Sequence, residues 1–390
     1  MATTTIVSGV QYSGIWNISS QANAKAAGTW PEGSPQALYA WGGGYSGRLG
    51  LGNTTNYSSP KQIGALTNWL NISGGGYSTT AVKKDGTLWS WGYNLYGMLG
   101  LGNTTAYSSP KQVGALTNWS STSNGKYYAS AIKTDGTLWA WGYNDVGQLG
   151  LSNTTTYSSP KQVGSLSTWS KVSCGYLGRQ TIAIKTDGTL WSWGGNVYGE
   201  LGLGNTTNYS SPKQVGSLTN WLNISCGNNH NIAIKTDGTI WSWGYGGDSA
   251  LGLGNTTNYS SPKQIGSLTT WSNINAGGDN SSAIKTNGSL WDWGANYSGS
   301  LGLGNTTTYN SPKQVGALTN WSSLSLGSGG SQFAIATKTD GTLWSWGSGN
   351  LGVLGLGNQT YYSSPKQVGS STSWISVSAG FQTSFALKST

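Results

Sequence analysis

The side chains that could carry covalent or proton-transfer chemistry are few: one histidine, two cysteines and eleven carboxylates in 390 residues, against twenty lysines and arginines. A lone imidazole, His230, rules out most histidine-based triads and histidine-rich metal sites, and it is expected to be a packed core residue. Asp85, Asp135, Asp187, Asp237 and Asp340 each stand in Asp-Gly-Thr, where Asp favours a turn and Gly supplies the positive φ of a tight hairpin. No acid and base are left paired, and no glycine-rich phosphate loop joins a strand to a helix. Cys174 and Cys226 both stand in Ser-Cys-Gly, at a position filled elsewhere by Gly74, Asn124, Ala276, Leu326 and Ala379. That company points to small buried residues rather than to a disulfide or a metal pair. The chain is therefore expected to hold no catalytic residue, no metal and no cofactor.

Binding chemistry is better supplied. A phrase of the form Leu-Gly-Leu-Gly-Asn-Thr-Thr-x-Tyr-Ser-Ser-Pro-Lys-Gln recurs with small changes seven times. It sets seven tyrosines (Tyr57, Tyr107, Tyr157, Tyr209, Tyr259, Tyr309, Tyr362) four residues ahead of seven lysines (Lys61, Lys111, Lys161, Lys213, Lys263, Lys313, Lys366). These lysines have no repeated acidic neighbour and account for most of the formal net charge of +9. A second set of seven, Lys83 to Lys388, lies beside the turn aspartates, which can partly neutralise it. A ring of Tyr and Lys suits an anionic glycan, a host surface or another protein surface; the alternative is solvated rim charge with rim packing. Nucleic acid is disfavoured, because the basic residues are spread by repetition and Arg occurs only at 48 and 179.

The elements that must position these residues follow from the Trp-Gly pairs at Trp41, Trp91, Trp141, Trp193, Trp243, Trp293 and Trp346, which recur every 50 to 53 residues. Each unit holds four strand-like pieces, typified by Leu88–Trp91, Pro110–Val113, Trp221–Ile224 and Ala233–Lys235. Four short strands per unit make one propeller blade. The expected fold is an all-β, seven-bladed β-propeller with four antiparallel strands per blade. The strand at Leu38–Trp41 would complete the blade that ends at Lys388, so that N- and C-terminal strands close the ring and leave no open sheet edge. Residues i and i+2 share a strand face, so Trp89 and Trp91 are expected to stack as a pair between blades while Leu88 faces the other neighbour. Alternation also places the long loop, the Ser-Pro-Lys lysines and two small insertions, at Tyr176–Arg179 and Gly327–Ser331, toward one end of the ring, the top. Residues 1–37 form an N-terminal extension and 38–390 the propeller.

The signature Leu-Trp-Ser-Trp-Gly-x-Asn-x-x-Gly-x-Leu-Gly-Leu-Gly-Asn, followed by Ser-x-Gly, Ala-Ile-Lys and Asp-Gly, closely resembles the regulator of chromosome condensation repeat across residues 38–388. The resemblance implies a seven-bladed propeller. Members of that family include a nucleotide exchange factor for a small GTPase, ubiquitin ligase modules and a bacterial inhibitor that grips β-lactamases, so the fold does not fix the function. The insertions here are too short for the exchange factor's specialised loop. The N-terminal segment from Tyr12 to Pro31 resembles a stretch found in structural proteins of marine tailed phages. On that likeness Trp16, Trp30 and Pro31 become anchors, flanking a stretch at Gln21–Ala27 compatible with about two helical turns, that dock residues 1–36 onto other virion or surface proteins; the alternative is an amphipathic strap that caps the ring. No apolar run reaches the ~18 to 20 residues of a membrane span, and Met1–Val10 lacks a signal peptide's basic start and apolar run. The expectation is thus a non-enzymatic binding or structural module on a phage particle, made in the cytoplasm and displayed on the virion or an extracellular surface. The rival readings are a cellular or secreted protein-interaction propeller of the inhibitor kind and, less favoured, a GTPase or chromatin regulator.

Overall fold

The computed structural model describes residues 35–390, so Trp16, Trp30, Pro31 and the stretch at Gln21–Ala27 lie outside the described residues. The described residues form strands β1 to β28, arranged as seven four-stranded antiparallel sheets. One blade consists of β3 (Trp69–Gly74), β4 (Ser78–Lys83), β5 (Leu88–Gly92) and β6 (Tyr107–Gln112), hydrogen-bonded in that order. Strands of the β3 type touch one another around the axis, so β3 is innermost and β6 is the outer edge.

The outer strand begins at Tyr107, three residues before the expected Pro110, because Gly92 pairs with Tyr107 before the register shifts at a bulge. Pro110 is tolerated there because an edge strand has no further ladder bond for it to break. Closure is as expected: β1 (Gln36–Gly42) pairs with β28 (Thr383–Ser389), Leu38 opposite Leu387 and Ala40 opposite Phe385. The blade is completed by β2 (Tyr57–Gln62) and β27 (Trp374–Ala379).

The core lies between blades. Trp91 packs against Leu38, Ala40 and Phe385 of the preceding blade, whereas Leu88 faces Trp119 and Trp141 of the next. Trp89 and Trp91 do not stack on each other. Both meet the inner-strand Trp69 edge to face, with centroids 6.3 and 6.1 Å away, and Trp89 remains half-buried. Trp69 is the aromatic partner of both, and this T-shaped geometry suits aromatic quadrupoles better than a face-to-face pair.

Two hydrogen-bond circuits tie the blades together. The indole N–H of each second Trp donates to a backbone carbonyl of the preceding blade, as Trp91 does to Arg48 at 3.0 Å, and Trp41 closes the circle on Val353 at 2.7 Å. A Gly is required beside that contact: Gly50 has φ +75°, and a Cβ there would sit 2.7 Å from the Trp91 indole nitrogen. The second circuit runs round the axis. Ser73 Oγ accepts from the Asn124 N–H, Ser123 from Cys174, Ser173 from Cys226 and Ser225 from Ala276, at 2.9–3.0 Å. Asn275 serves Leu326 in the same way, Ser325 serves Ala379, and Ser378 returns to Gly74 at 3.0 Å. The Ser-x-Gly motif is therefore a clasp between neighbouring inner strands.

Candidate binding surfaces

The seven Tyr and seven Lys of the repeated phrase are brought together as pairs, though not as a ring on the top. Each pair stands on an outer strand, with the lysine ammonium 5.3–5.8 Å from the centre of its own tyrosine ring. Tyr107 lies opposite Gly92 at the top of its blade, but Lys111 lies opposite Ser90, in mid-strand. Because the outer strand runs downward from Tyr to Lys, the lysines line the circumference rather than the top. The phrase's Asn is a turn former: Asn53 Oδ1 accepts from the Thr55 N–H at 3.0 Å, and its amide reaches the Tyr57 hydroxyl at 3.1 Å.

The aspartates beside the second lysine set partly neutralise it, as expected, but from a distance. Asp85 spends its carboxylate on the Thr87 N–H and hydroxyl, at 2.9 and 2.6 Å, which fixes the hairpin turn. Lys83 instead lays its ammonium 3.6 Å from the centre of the Trp89 ring and 4.9 Å from that of Trp69. Desolvation lowers its pKa, with Asp85 opposing the shift from a distance.

At the top of the ring the copies stop agreeing, and there residues outside the repeated phrase converge. Tyr77 stacks on Tyr127 at 5.3 Å, meets Phe381 edge-on at 5.7 Å, and lies 5.4 Å from the guanidinium of buried Arg48. That guanidinium donates to the Phe381 carbonyl at 2.9 Å. Lys126 stands over Tyr127 and Tyr176, while Arg179 pairs with Asp145 beside Tyr143. Further round, the character turns acidic: Tyr297 bonds Asp248 at 3.3 Å, and Asp279, whose pKa is raised by burial, accepts from Asn228 at 3.1 Å. Tyr45, Leu95, Val197 and Tyr297, at corresponding places in four top loops, are 51–69% exposed. Sequence reasoning passed these residues over because it followed what repeats, and their only sequence mark is disagreement among copies.

The two insertions meet across the top mouth. Tyr176 is buried against Gly76 and Gly329, where an added Cβ would fall 2.8 and 2.9 Å from its ring, and it lies 5.8 Å from Phe381. Asn228 bonds the backbone of Gly329 with both ends of its amide, at 3.0 and 3.2 Å. Below this plug the expected core histidine is present. His230 is buried, its Nε2 lies 2.9 Å from Ser281 Oγ, and burial pushes its pKa down to about 4. Cys174 and Cys226 are free thiols, and burial raises both pKa values. Glu200, buried behind the top loops, is pushed up to about 7 by desolvation. Among the described residues no cluster of three or more His, Cys, Asp or Glu could hold a metal ion, and no helix is long and apolar enough to cross a membrane.

With this geometry in hand, comparison with known proteins gives seven matches to the regulator of chromosome condensation (RCC1) repeat, at residues 37–82, 85–132, 135–178, 187–234, 237–284, 287–334 and 340–387. A human curated relative, Protein RCC2, is 40% identical over 52 residues, which is 13% of this chain and only 10% of that protein. Human WBSCR16 superposes with a TM-score of 0.80 at 18% identity, covering 91% of this chain and 99% of its own. Prp20p of Saccharomyces cerevisiae, in a structure whose description concerns its binding to Gsp1p and histones, gives 0.78 at 19% identity, with 92% of each chain covered. At such identities the structural likeness establishes the fold alone.

Proposed function

This chain belongs to the regulator of chromosome condensation repeat family, and from that premise we propose that it is a non-enzymatic binding scaffold whose top face grips a protein partner. The observation that carries the reading is the uneven divergence of the copies. The bottom turns keep Thr-Asp-Gly-Thr almost unchanged, while the top loops spend their variation on exposed aromatic and aliphatic residues. Those residues are flanked by cations, Arg48, Lys126 and Arg179, on one side and by Asp248 and Asp279 on the other. Exposed aromatics beside charges of both signs suit a protein interface better than a small-molecule cleft. Prp20p, whose structure is described by its binding to Gsp1p and histones, offers a precedent within the same fold.

The finer form of this proposal is a particle-borne scaffold held by residues 1–36 through Trp16, Trp30 and Pro31. It is supported by the sequence of that segment. Photocrosslinkers at Tyr45 and Tyr297 are expected to capture one and the same protein from the native source. Serine at Tyr45, Leu95, Val197 and Tyr297 should abolish that capture without altering the melting curve; capture that survives the four changes would refute the top-face reading. Particles carrying Trp16→Ala and Trp30→Ala should lose the propeller, and normal decoration by that variant would refute the docking role. With no wedge-sized insertion, the protein is also expected not to accelerate GDP release from a small GTPase.

A further inference from the structure

A second surface, independent of the top-face reading, lies between blades on the lower half of the ring. Four grooves of about 310–350 Å³ share a lining of Gln, Leu, two Trp and Pro, which Lys83 and Lys185 join in two of them. In the first, Gln62 and Leu66 come from the end of one blade, and Trp69, Lys83, Trp89 and Pro110 from the next. That volume is at the lower end of what small-ligand sites offer. Three features recur there that the fold itself leaves unexplained. The Lys83 ammonium sits against the Trp89 indole, the residue is only 4% exposed, and no carboxylate lies within ion-pair distance of it. The buried indole N–H of Trp69 has no hydrogen-bond partner, and the same holds for Trp119, Trp169, Trp221, Trp271, Trp321 and Trp374. Leu66, on the groove wall, stays 50% exposed.

An ammonium that Asp85 reaches only from a distance can take a direct ion pair from one kind of guest, an anion. The apolar wall and the Gln62 amide add contacts for a ring bearing hydroxyls. We propose that these inter-blade grooves bind acidic saccharide units: the carboxylate or sulfate bonds the lysine ammonium, and the sugar ring lies along Leu66 and Pro110 with its hydroxyls toward Gln62. Six blades carry the Trp–Lys pair, from Lys83 over Trp89 to Lys338 over Trp344, at 3.6–3.9 Å. The seventh groove is degenerate. Tyr39 replaces its Trp, with Lys388 5.7 Å away, and Ser371 stands where the others have Leu. Loss of wall and platform in the same groove supports their acting as a unit. Six weak sites on one rigid ring would retain a polymeric acidic glycan by avidity.

The degenerate groove supplies a variant the fold already tolerates. Titration of the full chain with trigalacturonate should give a stoichiometry near six, and Leu66→Ser with Trp89→Tyr should lower it to five. The same pair of changes in all six grooves should abolish binding and reduce retention on a polygalacturonate matrix at least tenfold, with the far-ultraviolet spectrum preserved. Replacing the seven outer-strand lysines by Gln should leave the stoichiometry at six. Indole N–H resonances of the inner-strand tryptophans should shift on binding. A sulfated trisaccharide run in parallel tells which acid is preferred, and either preference is consistent with the site. Equal binding of the neutral galactotriose, equal binding of polyglutamate, or a stoichiometry unmoved by the two-residue change would each overturn the assignment.

Discussion

Departures from the seven-fold pattern carry most of the residue-scale chemistry. Asp292 stands where four blades have a serine, Ser90, Ser192, Ser242 and Ser345, whose hydroxyls donate to a leucine carbonyl at 2.6–2.7 Å. It accepts a bond from Ser282 on one oxygen, but its other oxygen is buried without a partner, and burial raises its pKa well above the usual carboxylate range. A group raised in this way costs stability as pH climbs past its unfolded value, so Asp292→Ser should stabilise the ring by about 2 kcal/mol at pH 7 and by less at pH 4. Urea unfolding at the two pH values measures both; a destabilised variant would contradict the argument. His230 has the opposite sense. Its folded pKa of about 4 lies below the ordinary 6.5, so the unfolded chain takes up a proton that the folded one refuses. Its contribution is therefore whole above pH 6.5 and falls by about 2–3 kcal/mol toward pH 4.5. His230→Asn, which copies Asn280 of the next blade, should lose less stability between those pH values than the parent; parallel pH curves would contradict it. Glu200, raised to about 7, works against this trend by losing stability as pH rises from 4.5 through 7, and so the comparison must be made against the parent. The packed histidine was legible from its isolation among seven copies. The top-face residues were not, because a lone sequence marks disagreement among copies without saying where the fold gathers it.

The repeated spacing of Trp, Gly and Pro made the strands legible at the scale of elements, and the errors lie where side chains choose partners across blades. Period-two alternation put Trp89 and Trp91 on one face correctly, yet only packing reveals that each meets the inner-strand Trp69. Nearness in sequence set Asp85 beside Lys83 correctly, but did not show that the turn claims the carboxylate and two indoles the ammonium, so that Asp85 acts only from a distance. The outer strands show a protective device that the sequence carried openly. Each has Pro and Lys in Ser-Pro-Lys, and each is the edge of its sheet, where a missing N–H and a charge discourage pairing with another molecule. Replacing Pro60, Pro110, Pro160, Pro212, Pro262, Pro312 and Pro365 by Thr should preserve the monomer's circular dichroism and melting temperature but promote self-association. Light scattering at rising concentration is the measurement, and a variant that stays monomeric would leave the prolines without this role.

In the molecule as a whole, stability depends on a circle with no preferred beginning. Both hydrogen-bond circuits pass through the blade built from the two ends of the described chain, by way of Trp41 to Val353 and Ser378 to Gly74. Strand β1 contributes Leu38, Ala40 and Trp41, all fully buried, so removing it uncovers β28 and two inter-blade cores at once. Burying one large apolar side chain is worth roughly 1.5–3 kcal/mol, and the loss of two such contacts and a buried alanine together with an entire ladder exceeds what a marginally stable domain can absorb. A chain of residues 43–390 is therefore expected to unfold at a much lower temperature than one of residues 35–390, in one cooperative step, because every remaining blade loses the same closure. Mere shortening is not the cause if the circle is the unit of stability. The ends already touch, with the Thr390 N–H 3.1 Å from the Pro35 carbonyl. Joining them through a short glycine-rich turn and opening the chain at Asn287–Gly288 keeps all 28 strands while moving the break to another hairpin. That permuted ring should melt within a few degrees of residues 35–390. A permuted chain that unfolds as readily as the truncated one would show that β1 matters for its place in the sequence and not for closing the ring.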